Sequence, residues 1–147
     1  MQTTGELSQS RSARTLSILR WIAFAGFVVS AMLNLAHVRG GFATNHLADI
    51  TVPAWLYLSA RDPRKDRPLL GRVIGASPER AALLLWSAST ATEVSQRFWP
   101  HGLFSGRFDS LDIVAYAAGI LPCYAYDRHL MRAGGESNVH SRRGGSA

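Results

Sequence analysis

Cysteine is almost missing from this chain: Cys123 stands alone among 147 residues. That excludes an intrachain disulfide framework and any multi-cysteine zinc or iron–sulfur site. Internal repeats are absent, and no serine or cysteine nucleophile lies beside a plausible base in the sequence. Charge is scarce as well, with 18% Asp, Glu, Lys and Arg against 47% apolar residues. The aromatics and long aliphatic runs can bury surface, so the chain as a whole is not intrinsically disordered. Its length suits one domain. The charge that is present is lopsided, a net +6 with a pI near 10.4, which points to nucleic acid or an anionic membrane surface as partner.

Charge is missing altogether from Trp21 to Val38, 18 residues broken only by Ser30, Asn34 and His37. At 1.5 Å per residue that run covers roughly 27 Å, close to the ~30 Å hydrocarbon core of a bilayer. Its apolar residues lie all round the helix, without the polar stripe of a surface helix. His46–Ala60, Ala81–Trp99 and Leu111–Tyr126 are weaker candidates, because Asp49, Glu93, Gln96, Arg97 and Asp112 interrupt them. The distribution of basic residues decides the reading. Arg11, Arg14 and Arg20 precede the first span. Arg61, Arg64, Lys65, Arg67, Arg72 and Arg80 lie between the second and third, and Arg128, Arg132, Arg142 and Arg143 follow the fourth. Only Arg39, Arg97 and Arg107 fall on the other side, so 13 of the 16 basic residues alternate with the spans as the positive-inside rule requires.

The expected fold is therefore an all-α, four-helix transmembrane bundle in a bacterial cytoplasmic membrane, with both termini cytoplasmic. A polar tail (1–14) precedes a membrane domain (15–130) with spans near 16–38, 45–60, 79–99 and 110–127, and a disordered tail (131–147) follows. No A-x-A-like site follows the first span, so it is expected to be retained and not cleaved as a signal. Ser77-Pro78-Glu79 supplies an N-cap, a proline at N1 and a first-turn acid. Asp109 and Asp112 form a variant capping box. Gly26 and Ser30, Ser87, Ala88 and Ala91, and Ala115 and Gly119 are small residues suited to close helix packing. Phe98, Trp99, Trp55 and Tyr57 read as interface anchors.

On this topology the out-of-place polar residues gather toward the outer face: His37 at the end of the first span, His46 and Asp49 at the start of the second. Glu93 and Gln96 end the third, and Asp109 and Asp112 open the fourth. Ionisable groups at such depths should face the protein and find partners. Pro53 leaves the carbonyl of Asp49 without its helical donor and Pro122 does the same for Ala118, so kinks at both are expected to open a cleft. His46 and Asp49, three apart, share a helical face and have metal-compatible spacing. Together with His37 and Glu93 they make no stronger motif, so neither a metal nor any other cofactor is assigned.

Glu93-x-x-Gln96, Arg107, Asp112 and Gly119 resemble the core of the VanZ-like family of small bacterial membrane proteins. His46 is similar to a family histidine as well, while Tyr116 and Cys123 stand where the family commonly has Asn and Gly. The resemblance implies a multi-pass membrane protein, some of whose relatives are linked to glycopeptide resistance. Physically, Arg107 can reach back to Glu93 or Asp112 and Gln96 can bridge them, giving a polar clasp across the third and fourth spans that Asp49 completes.

Three functions compete. The clasp binds a lipid headgroup, an envelope precursor or an amphiphilic antibiotic; or it only locks helix packing in a scaffold subunit that contacts another membrane protein. A hydrolase or transferase using Glu93 with His37 or His46 is less supported than either, and no catalytic residue is assigned. Nucleic-acid binding is disfavoured, because topology accounts for the basic residues.

Overall fold

The computed structural model describes residues 4–38, 41–62, 69–99 and 108–143. All regular structure among them is α-helical: α1 (Thr4–Leu35), α2 (Phe42–Ala60), α3 (Leu69–Ile74), α4 (Pro78–Phe98) and α5 (Ser110–Arg143). Two elements depart from expectation at their ends. α1 begins at Thr4, inside the expected polar tail, and α5 continues to Arg143, through most of the tail expected to be disordered. No proline follows Pro122, so no residue there blocks the helix outright, and α5 runs on through Gly134 and Gly135. The segment before α4 holds the short helix α3.

α2 is the organising element. It packs against α1 on one side and α5 on the other, α4 lies against α5 and α2, and among the described residues α1 does not touch α4. The four long helices thus form a three-helix core with α1 laid along α2, and not a square bundle. Close approach explains the tightest contact. A Cβ built on Gly119 would lie 2.0 Å from the backbone oxygen of Ile50, so only glycine lets α5 come this near to α2. A Cβ on Gly26 would lie 2.7 Å from Thr51 Cγ2, and Thr51 is itself held by its hydroxyl donating to Leu47 O. Ser30, Ala115 and Gly119 are buried at these contacts. The small residues of α4 behave differently. Ser87, Ala88 and Ala91 are exposed, because α4 turns a different face inward, with Pro78, Ala81 and Glu93 buried and Ala82 and Leu85 packed against the core. α2 and α5 both continue as helix through Pro53 and Pro122.

Buried polar groups and exposed large apolar side chains are both prominent. The buried apolar set is small, centred on Tyr57, Leu58, Ala81 and Ile120, and it is accompanied by buried Ser30, His46, Glu93 and Asp127. Ile18, Trp21, Ile22, Val29, Met32, Leu83, Val114 and Leu121 are among the large apolar side chains left outside. Within α1, the segment Ser12–Leu35 is long and apolar enough to cross a membrane, and its apolar 18-residue stretch is only 11% buried. It is the one segment among the described residues that meets that standard by length and composition alone. The core helix of a soluble protein would be mostly covered.

Candidate functional site: a polar cluster where α2, α4 and α5 meet

The N-terminus of α5 sets the geometry. Asp109 is its cap, with Oδ1 accepting from the backbone N–H of Leu111 at 2.9 Å. In a complete capping box the acid three residues on would return to the cap's own N–H. Here that N–H donates instead to Glu93 Oε1 of α4, at 2.6 Å. The carboxylate of Asp112 is thereby released from local duty, and its Oδ1 meets Nδ1 of His46 on α2 at 2.7 Å. Asp49, one turn along α2 from His46, brings Oδ2 to 3.9 Å from the same ring nitrogen.

Glu93 and the His46 group differ in access. Glu93 is 1% exposed, and its second oxygen accepts from the Tyr116 hydroxyl at 3.3 Å. Both oxygens are therefore occupied by neutral donors from α5, as a buried carboxylate requires. Asp49 and Asp112 keep 25% and 18% of their side-chain surface while His46 is buried. Among the described residues no Lys or Arg pairs with Asp49, Asp112 or Glu93. His46, Asp49 and Asp112 each offer a ligand atom, and these atoms all lie within 4.8 Å of one another. An imidazole with two carboxylates is a donor set that a divalent ion or an ammonium group can use.

The sequence-derived cluster is thus brought together in part. His46, Asp49, Glu93, Asp109 and Asp112 converge. Gln96 is half-buried and bonds to none of them among the described residues. His37 is exposed in a left-handed conformation (φ 56°), its Nδ1 turned to Leu35 O at 3.0 Å, and does not join. Geometry at the end of α1 explains this: the chain leaves the helix there and turns His37 onto its own backbone. Arg107 lies outside the described residues. Of the expected interface anchors, Phe98 and Trp99 are exposed. Tyr57 is fully buried and so is no surface anchor, while Trp55 is half-buried with its ring 5.6 Å from that of Phe24.

A second polar cluster, at the other end of α2, went unread. Arg61 Nε donates to Asp127 Oδ2 at 2.5 Å, the Tyr57 hydroxyl donates to the same oxygen at 3.0 Å, and Arg61 Nη1 reaches Gly75 O at 2.7 Å. Arg20 of α1 pairs with Asp62 beside it. The available signal was the four-residue spacing of Tyr57 and Arg61, which places both on one face of α2. His46 and Arg61 are 15 residues apart, roughly 22 Å along the helix, so an apolar band separates the two clusters.

Comparison of the chain with protein-family models, with curated proteins and with solved structures gives no match. Function has to be argued from the geometry.

Proposed function

We propose that the chain is a four-span protein of the bacterial cytoplasmic membrane, of VanZ-like type, with α1, α2, α4 and α5 as spans. On this reading the Arg61–Asp127 end faces the cytoplasm and the His46–Asp112 end faces outward. The apolar exterior around buried ionisable groups supports it: lipid solvates the exposed Leu, Ile, Val and Trp side chains, and buried carboxylates find partners inside.

Within that frame the two halves of the outer cluster have different work. Glu93, Tyr116 and Asp109 lock α4 to α5. His46, Asp49 and Asp112 bind the cationic portion of an amphiphile, such as an ammonium-bearing lipid headgroup, envelope precursor or antibiotic. The observation that carries this is the accessible pair Asp49 and Asp112 beside His46, without a guanidinium or lysine among the described residues to neutralise them. Two carboxylates that share one imidazole partner in low dielectric favour a further cation.

The test is ligand-induced thermal stabilisation in a non-ionic detergent, comparing octylammonium with octanol. Octylammonium should raise the melting temperature of the wild type, and Asp49→Asn and Asp112→Asn should each remove most of that rise. Equal stabilisation by octanol, or an undiminished rise in both variants, overturns the binding reading. The packing-lock alternative has one specific support, the complete satisfaction of Glu93, and it already accounts for that half of the cluster.

A further inference from the structure

Between α4 and α5 lies a groove of about 420 Å³. Ala82, Leu83 and Trp86 form one wall, and Ile120, Leu121 and Tyr124 the other. The lining is apolar except at one end, where Glu79 opens it. There Arg128 Nη1 lies 3.5 Å from Glu79 Oε1, both side chains being about half exposed, at 46% and 54%. Arg128 is held by a hydrogen bond to the Tyr124 hydroxyl and stacks over that ring, 5.9 Å from its centroid. A concave apolar surface with a few polar groups at one end is the usual form of a small-molecule site.

The mouth specifies the occupant. It presents one anion and one cation side by side, at a separation longer than the 2.7–2.9 Å of a good charge-assisted bond. A ligand with its own phosphate and ammonium can therefore exchange partners with the pair. The guanidinium fork has donors for phosphate oxygens, and the Glu79 carboxylate accepts N–H bonds from a primary ammonium. We infer that the α4–α5 groove seats an acyl chain of a phospholipid whose headgroup carries both phosphate and primary ammonium, with Arg128 on the phosphate and Glu79 on the ammonium. The inference rests on the membrane-spanning reading, and on that topology the lipid belongs to the cytoplasmic leaflet. A quaternary ammonium lacks the N–H donors, and a headgroup with phosphate alone sets like charge against Glu79. From Glu79 to Trp86 is seven residues, about 10 Å of helix, so Trp86 lies beside the middle of the chain.

Trp86 is the reporter. Two single-tryptophan proteins are made by Trp→Phe replacement of the other three, one keeping Trp86 and one keeping the exposed Trp21 of α1. Each is reconstituted in phosphatidylcholine vesicles doped with equal mole fractions of mid-chain-brominated phosphatidylethanolamine, phosphatidylcholine or phosphatidylglycerol. Trp21 should be quenched equally by all three. Trp86 should be quenched through a lipid-binding constant roughly two- to fivefold larger for phosphatidylethanolamine than for the others, the range one half-exposed charge contact supports. Glu79→Gln should abolish that preference without reducing quenching by brominated phosphatidylcholine. Equal quenching of Trp86 by the three lipids, no quenching of Trp86, or a preference that survives Glu79→Gln overturns the inference. Failure to quench Trp21 with any lipid overturns the membrane reading instead.

Discussion

Gly119→Ala is the smallest change with the largest expected consequence. A Cβ at this position falls 2.0 Å from Ile50 O and 2.9 Å from Ile50 C, and the obstacle is backbone, which cannot rotate away. Relief to an ordinary contact above 3 Å requires α5 and α2 to separate by at least about 1 Å. Asp112 is seven residues before Gly119, two turns along the same helix, so the separation also acts on the 2.7 Å contact between Asp112 and His46. Overpacking of this kind costs about 1–3 kcal/mol, and a broken buried hydrogen bond adds about 1–2 kcal/mol. Thermal unfolding in detergent should therefore show a loss of roughly 2–5 kcal/mol, and hydrogen exchange should rise at the start of α5 before it rises elsewhere. A variant within about 0.5 kcal/mol of the wild type, with unchanged exchange at Asp112, refutes the close-approach account.

Glu93 separates lock from ligand. Glu93→Gln retains an acceptor for the Asp109 N–H and a donor for the Tyr116 oxygen, so it should cost under about 1 kcal/mol, whereas Glu93→Ala leaves two buried donors unpaired and should cost about 2–4 kcal/mol by the same unfolding assay. Asp127→Asn removes the charge that pairs with half-buried Arg61, and about 2–3 kcal/mol should be lost; recovery in an Asp127→Asn, Arg61→Met double variant would show that the loss ran through this pair. Ser77→Ala, which takes the acceptor from the Arg80 N–H, should cost about 1 kcal/mol and fray only the start of α4 in hydrogen exchange.

Much of the helical layout was legible because its signals are local. The uncharged run from Trp21 marks α1, Ser77-Pro78 marks the start of α4, and Asp109 marks that of α5, each through chemistry confined to one turn. The convergence of His46 with Asp112 could be anticipated only through topology, by placing both at one end of the fold. Three things escaped. In the sequence Tyr116 is visible only as a departure from the family's Asn, whereas in the fold its hydroxyl donates to Glu93. Arg61 was counted as a topological charge, though Asp127 and Tyr57 hold it inside, because a cross-helix pair leaves no mark in either segment. The small residues of α4 read as packing positions but face outward: spacing along one helix does not say which face a neighbour covers.

The central claim is that lipid, and not water, surrounds these helices, with the His46–Asp112 end outside the cell. Single-cysteine labelling tests it most directly. In a Cys123→Ser background, cysteines at Val38, Ala76, Phe108 and Arg132, all exposed, are challenged in intact cells with a membrane-impermeant maleimide. Positions 38 and 108 should label at once, and positions 76 and 132 only after lysis. Labelling of 76 or 132 in intact cells, or recovery of the protein in the soluble fraction, contradicts the account.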